Sequence, residues 1–167
     1  MIDRYDYYHQ RICYSFHFNR NRFDNLNFNY ELSKKLETYF KKVSSGNIPN
    51  SIFNSKTNPR ISRFKIKGLN KAFLRSLGKR LIREGKIIEL PKDNKLSLRA
   101  NEVYLIFKTN NMRKKPGHGP ILKNILIKDI NSLAIELPVW IKTKNTYLTG
   151  HIDLIQFKQD LFYIIDY

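Results

Sequence analysis

Apolar positions fall at helical spacing in three stretches of the chain and in short strand-like runs near its end. In "NYELSKKLETYFKKV" Leu32, Leu36, Tyr39, Phe40 and Val43 recur three or four residues apart, with Lys34, Lys35, Lys41 and Lys42 on the far side, which predicts an amphipathic helix. In "GLNKAFLRSLGKRLIREGK" Phe73, Leu74, Leu77, Leu81 and Ile82 predict a buried stripe between an N-cap at Asn70 and a C′ glycine at Gly85. "ILKNILIKDIN" carries Ile121, Leu122, Ile125, Leu126 and Ile130 at the same spacing, and a helix is expected to start just after His118 and Pro120. "KIIELPKDNKLSLRANEVYLIF" alternates and turns at "PKDN", which predicts a hairpin. "LAIELPVWI", "YLTGHIDLIQF" and "LFYIIDY" read as three strands. The first 28 residues mix aromatics with Asn and Arg without a clean period and are expected to be irregular apart from one short element. "SSGNIPNSIFNSKTNPR" and "KTNNMRKKPGHGP" have the composition of loops.

Composition adds a partner to this outline. At 167 residues and 41% hydrophobic content the chain can bury a core as one domain, or as one small domain with an appendage. Its 31 Lys and Arg against 14 Asp and Glu give a formal charge of +17, more than solubility requires, which points to a polyanion and first to nucleic acid. The charge is uneven: Met1 to Glu102 holds 22 basic and 9 acidic residues, Val103 to Tyr167 holds 9 and 5. This divides the chain into a basic, mainly helical region over 1–102 and a second region over 103–167. No apolar run is long enough to span a bilayer, and the N-terminus has no apolar signal segment. With one cysteine, Cys13, a reducing, cytoplasmic setting is the expectation.

The second region carries the candidate chemistry. Side chains alternate along a strand, so His151 and Asp153 share one face of theirs, and Phe162, Ile164 and Asp166 share one face of the next. Asp153 and Asp166 are thereby expected to meet across adjacent strands, with Glu136 at the head of the strand before them. Asp166 follows "FYII" and is expected to be buried on a central strand, where an unpaired carboxylate is costly. Carboxylates converging at one sheet edge repel unless a hard cation neutralises them, and Mg²⁺ suits a few carboxylates together with phosphate oxygens. Phosphodiester hydrolysis is the reaction such a site supports. His151 reads as a locally hydrogen-bonded strand residue and Trp140 as a core aromatic. Cys13, with His9 and His17 nearby, has nothing to fix a nucleophile's geometry.

The stretch "ELPVWIKTKNTYLTGHIDLIQFKQDLFYIIDY" resembles the PD-(D/E)xK nuclease superfamily, and within it the RecB-like branch. In that family a Gly-x-x-Asp strand precedes a strand ending in an acidic residue, one spacer and Lys; Gly150 and Asp153 match the first part, Asp166 and Tyr167 the second. The resemblance implies a restriction-endonuclease-like core, a mixed sheet with flanking helices in the α+β or α/β class. It implies Asp153, Asp166 and Glu136 as catalytic carboxylates holding Mg²⁺ or Mn²⁺, His118 of "PGHGP" as a further ligand, and DNA as substrate. The family's lysine would be residue 168, so the resemblance also implies a core that stops before its third motif residue and turns over poorly.

The segment from Arg60 to Arg83 has nine basic residues and no acid. Like charges four apart weaken a helix, so a phosphate backbone along Arg63, Lys67, Lys71, Arg75, Lys79 and Arg83 is the expected partner. A basic helix followed by a hairpin with "PKDN" at its tip also resembles a winged-helix module, which implies a second possibility, a DNA-binding protein without chemistry of its own.

Overall fold

The computed structural model describes residues 1–26, 31–58 and 71–167, and within them the chain builds one antiparallel sheet with helices on both faces. Its first two strands, Ile2–His9 (β1) and Ile12–Asn19 (β2), form a hairpin paired from Ile2↔Asn19 to His9↔Ile12. The irregular N-terminus expected from the sequence is thus corrected. Tyr7 and His9 are buried on one side of β1 while Arg4, Asp6 and Tyr8 are exposed, an alternation that the many aromatics disguise. The turn is Gln10–Arg11, both with positive φ (49° and 69°), as a two-residue hairpin turn requires, but without the Asn or Gly that usually announces it.

Arg20–Asp24 (α1), Glu31–Ser44 (α2) and Asn50–Phe53 (α3) follow. Phe23, Phe40, Val43 and Phe53 from these helices pack with Tyr7, Phe16, Phe18, Leu133, Leu137 and Ile155 of the sheet. Lys71–Arg83 (α4) comes next, and its predicted stripe is not buried: Phe73, Leu74 and Ile82 are 49%, 50% and 39% exposed. Amphipathic spacing reports which residues share a face, and among the described residues only Leu77 and Leu81 of this stripe are half-buried.

The predicted hairpin is a helix, Lys95–Thr109 (α5). Asn94 of "PKDN" is its N-cap, its side chain accepting the Leu96 N–H at 2.9 Å. Leu96, Ala100, Val103 and Phe107 form its inner face, a helical period that a short alternating stretch imitates. His118–Lys128 (α6) packs against it through Ile121, Leu122, Ile125 and Leu126, and together they cover Ile135 and Leu154 on the second face of the sheet. The expected boundary at 102/103 falls inside α5. The hairpin wing of the winged-helix reading has no counterpart here.

Ser132–Lys142 (β3), Tyr147–Lys158 (β4) and Leu161–Ile165 (β5) are the three expected strands. The sheet order is β1-β2-β3-β4-β5, every pairing antiparallel, so the class is α+β. The mixed sheet implied by the family resemblance is not what the described strands form. β2 joins β3 through His17↔Ile135 and Phe18↔Ala134, so residues on both sides of the expected boundary share one sheet. The Arg22 guanidinium locks this junction, donating to the carbonyls of Leu126, Ile127, Asp129 and Ser132 at 2.6–3.0 Å where α6 ends and β3 begins. Among the described residues no helix is long and apolar enough to cross a membrane.

Candidate metal centre

Glu136 departs from its strand. Six described non-glycine residues have positive φ; five lie in the β1–β2 and β4–β5 turns or just after α5, and Glu136 (φ 53°) alone lies inside a strand. A glutamate in the left-handed region inside a strand is strained by an amount on the order of 1–3 kcal/mol, which surrounding structure must offset. The consequence is visible in the packing, because Ile135 belongs to the core under α5 and α6 whereas Leu137 belongs to the opposite one. The bend re-aims the strand at this residue. Two tyrosines hold it there: the Tyr7 hydroxyl donates to the Glu136 carbonyl at 3.1 Å, and the Tyr39 hydroxyl to the Pro138 carbonyl at 2.6 Å. Burial pushes the Tyr39 phenol well above its ordinary range.

The pairs Ile135↔Leu154 and Leu137↔Ile152 bracket Glu136 and set it opposite Asp153. Asp153 is buried, 5% exposed, and one of its oxygens accepts the Tyr167 N–H at 3.0 Å. Two residues earlier on the same face, His151 brings Nε2 to 3.4 Å from Glu136 Oε2 and 3.9 Å from Asp153 Oδ1. The Tyr14 ring lies 4.6 Å from the His151 ring, and the buried His9, 6.5 Å from it ring to ring, hydrogen-bonds Thr149 Oγ1 at 2.8 Å. One donor atom each from Glu136, His151 and Asp153 lies within 4.8 Å of the others. Ligands held about 2.1 Å from one ion stand about 3–4 Å apart, so these spacings need little adjustment. Two carboxylates and an imidazole fit Mn²⁺, and Mg²⁺ through the carboxylates.

The other predicted ligands stand further out. His118 is the first residue of α6, not a loop residue ahead of it, and its Nδ1 is 3.6 Å from Asp153 Oδ2 with the side chain 58% exposed. Its ring meets Tyr167 edge-on at 5.4 Å. Burial and a hydrogen bond to Tyr104 raise the Tyr167 phenol. Asp166 follows Ile165, which pairs with Leu154, so the register runs on to Asp153 opposite Asp166. Among the described strands, however, β5 stands at the edge of the sheet, and Asp166 is exposed and outside the converging group.

Sequence reasoning undervalued His151, although its spacing to Asp153 was legible. It could not have found Tyr7 and Tyr14, which reach the site from a hairpin that the sequence hides. Of the predicted phosphate contacts, Arg75, Lys79 and Arg83 are exposed on α4, Lys71 opens that helix, and Arg63 and Lys67 lie outside the described residues. No protein-family model, curated protein or solved structure matches the chain.

Proposed function

We propose that the chain is a metal-dependent nuclease of the PD-(D/E)xK type acting on DNA, with Mg²⁺ or Mn²⁺ held by Glu136, Asp153 and His151. The observation that carries this reading is the convergence of these three side chains at a strained glutamate where β3 and β4 meet. A divalent cation among these donors would favour two carboxylates held this close. The formal charge of +17 supports a polyanionic substrate. Gly150 and Asp153 on β4 and Asp166 directly after β5 keep the order of the motif, on a sheet that is antiparallel throughout.

A divalent ion bound there would polarise a phosphate oxygen and lower the pKa of a coordinated water. The chain's own residues do the rest. Tyr7 and Tyr39 fix the bend that aims Glu136, Tyr14 packs the imidazole of His151, and the Tyr167 N–H orients Asp153. His118, exposed at the rim, is placed to meet a substrate or to join the ion's shell. Asp166 would enter that shell by turning its exposed side chain.

Titration of Mn²⁺ followed by electron paramagnetic resonance tests the reading. Glu136→Gln and Asp153→Asn should each weaken binding at least tenfold, and cleavage of a DNA duplex by the protein should fall with them. Mn²⁺ affinity indifferent to both substitutions would overturn the site. Metal binding with no DNA cleavage would leave the non-catalytic DNA-binding reading, for which the exposed cations of α4 remain available.

A further inference from the structure

The modest charge of +4 over Val103 to Tyr167 conceals a sharp local imbalance. From Val103 to Lys128 there are six basic residues, Lys108, Arg113, Lys114, Lys115, Lys123 and Lys128, and no acidic one; every acid of this region lies further on, from Asp129 to Asp166. Lys128 is engaged, pairing with Glu102 at 2.8 Å. Lys108, Arg113, Lys114 and Lys115 are exposed at the end of α5 and in the connection to α6.

That connection is pinned at both ends. Asn111 takes positive φ (52°), and the N–H groups of Asn110, Asn111 and Met112 donate to the carbonyls of Ile106, Lys108 and Phe107, closing the end of α5. Pro116 is buried immediately before the Gly117 cap of α6. Three consecutive cations therefore stand on a short anchored span that runs straight into His118. Lys115 is three residues from His118, at most about 11 Å along the chain, and His118 is itself 3.6 Å from Asp153.

We infer that Arg113, Lys114 and Lys115, aided by Lys108, form a phosphate-binding clamp that seats a nucleic-acid backbone at the mouth of the Glu136/His151/Asp153 centre. The clamp meets a need that the centre creates. Glu136, Asp153 and Asp166 repel a polyanion, and cations a few residues before His118 would offset that repulsion. Exposed aromatic rings at the same edge, Tyr104 and Tyr167, 37% and 45% exposed, give a strand that is not fully paired a surface to lie on. The identity of the reaction rests on the nuclease reading; the binding does not.

The test uses fluorescence anisotropy of a labelled 20-nucleotide DNA, as single strand and as duplex, in EDTA so that neither metal nor cleavage enters. The variant R113Q/K114Q/K115Q should lower the slope of log affinity against log salt by about 2–3, so that the affinity lost between 50 and 200 mM salt shrinks by roughly 40-fold. Equal charge removal on α2, K34Q/K35Q/K41Q, should change the slope by less than about 1. Equal changes in the two variants, or none in the first, would overturn the clamp. These side chains are exposed, so both variants should melt near the parent temperature. Placement at the metal centre is tested separately by reciprocal linkage: DNA should tighten Mn²⁺ binding in the parent and not in R113Q/K114Q/K115Q. No tightening in the parent would overturn the placement. A parent that binds no Mn²⁺ would overturn the nuclease reading, while the salt slopes still decide the clamp.

Discussion

Replacing Glu136 by Gln should stabilise the metal-free protein and abolish its stabilisation by metal. The side chains of Glu136 and Asp153 are 12% and 6% exposed, and their facing oxygens lie within 4.8 Å. Two unit charges at that distance repel by about 3.5 kcal/mol at the effective dielectric of 20 suited to partly buried sites, and by about 1 kcal/mol in water. His151 Nε2, 3.4 Å from Glu136 Oε2 and 3.9 Å from Asp153 Oδ1, offsets part of this repulsion. Glutamine keeps the shape and the same backbone, so the strain at φ 53° is common to both proteins and cancels. A gain of about 1–3 kcal/mol follows, and for a domain of this length each kcal/mol moves Tm by about 2–4 °C. Saturating metal acts the other way. Mn²⁺ at one hundred times its Kd adds about 2.7 kcal/mol to the parent and nothing to a variant that no longer binds it. Calorimetry in EDTA and in excess Mn²⁺ should therefore show E136Q melting above the parent without metal and losing that lead with it. A variant that melts below the parent in EDTA and rises as much as the parent with Mn²⁺ would refute both the repulsion and the site.

Other consequences are as direct. Tyr7→Phe removes the hydroxyl that holds the Glu136 carbonyl; urea denaturation should show a loss of about 0.5–1.5 kcal/mol, and Mn²⁺ affinity should fall about tenfold. Arg22→Ala leaves four carbonyls at the α6–β3 junction without their cation, and a loss of about 2–4 kcal/mol in the same assay is expected. Burial, opposed by a hydrogen bond to the Ser15 carbonyl, holds the His17 imidazole below its usual pKa of 6.5. The unfolded chain then takes up this proton first, so stability should fall as pH drops below about 6.5 and level off below the folded value, and His17→Asn should flatten that part of the profile.

The elements that the sequence announces are those whose buried positions are filled by aliphatic residues. Helix α6 and strands β3 and β4 are legible because their apolar residues face two packed layers, and the carboxylates stand out against those runs. Hairpin β1–β2 is not, because Tyr, Phe and His serve on both its faces and its turn uses Gln10 and Arg11 where a turn signal would be Asn-Gly. Helix α5 is misread for a related reason: "LSLRANEVYLIF" satisfies a two-residue period at its start and a helical one throughout, and only the partner helix α6 decides between them. The spacing of α4 marks the residues that share a face, but spacing does not say how deeply that face is buried. Asp166 is alike: its apolar prelude suggests a central strand, whereas β5 is the outermost of the described strands.

The site itself was legible only in part, and the missing part is what makes it a site. Glu136, Asp153 and His151 come from two consecutive strands, so their nearness needs nothing beyond one hairpin register. What that register does not supply is aim: on a regular strand the Ile135 to Leu137 segment would keep one facing, and Glu136 would alternate with its neighbours. The break in alternation is enforced from outside the hairpin, by hydroxyls on β1 and α2 that bind the backbone on either side of the bend. The basic first half and the acidic centre of the second half are therefore not separable modules. Residues over a hundred positions away in sequence, Tyr7 and Tyr14 among them, shape the backbone and pack the imidazole, and no reading of the last strands alone recovers that dependence.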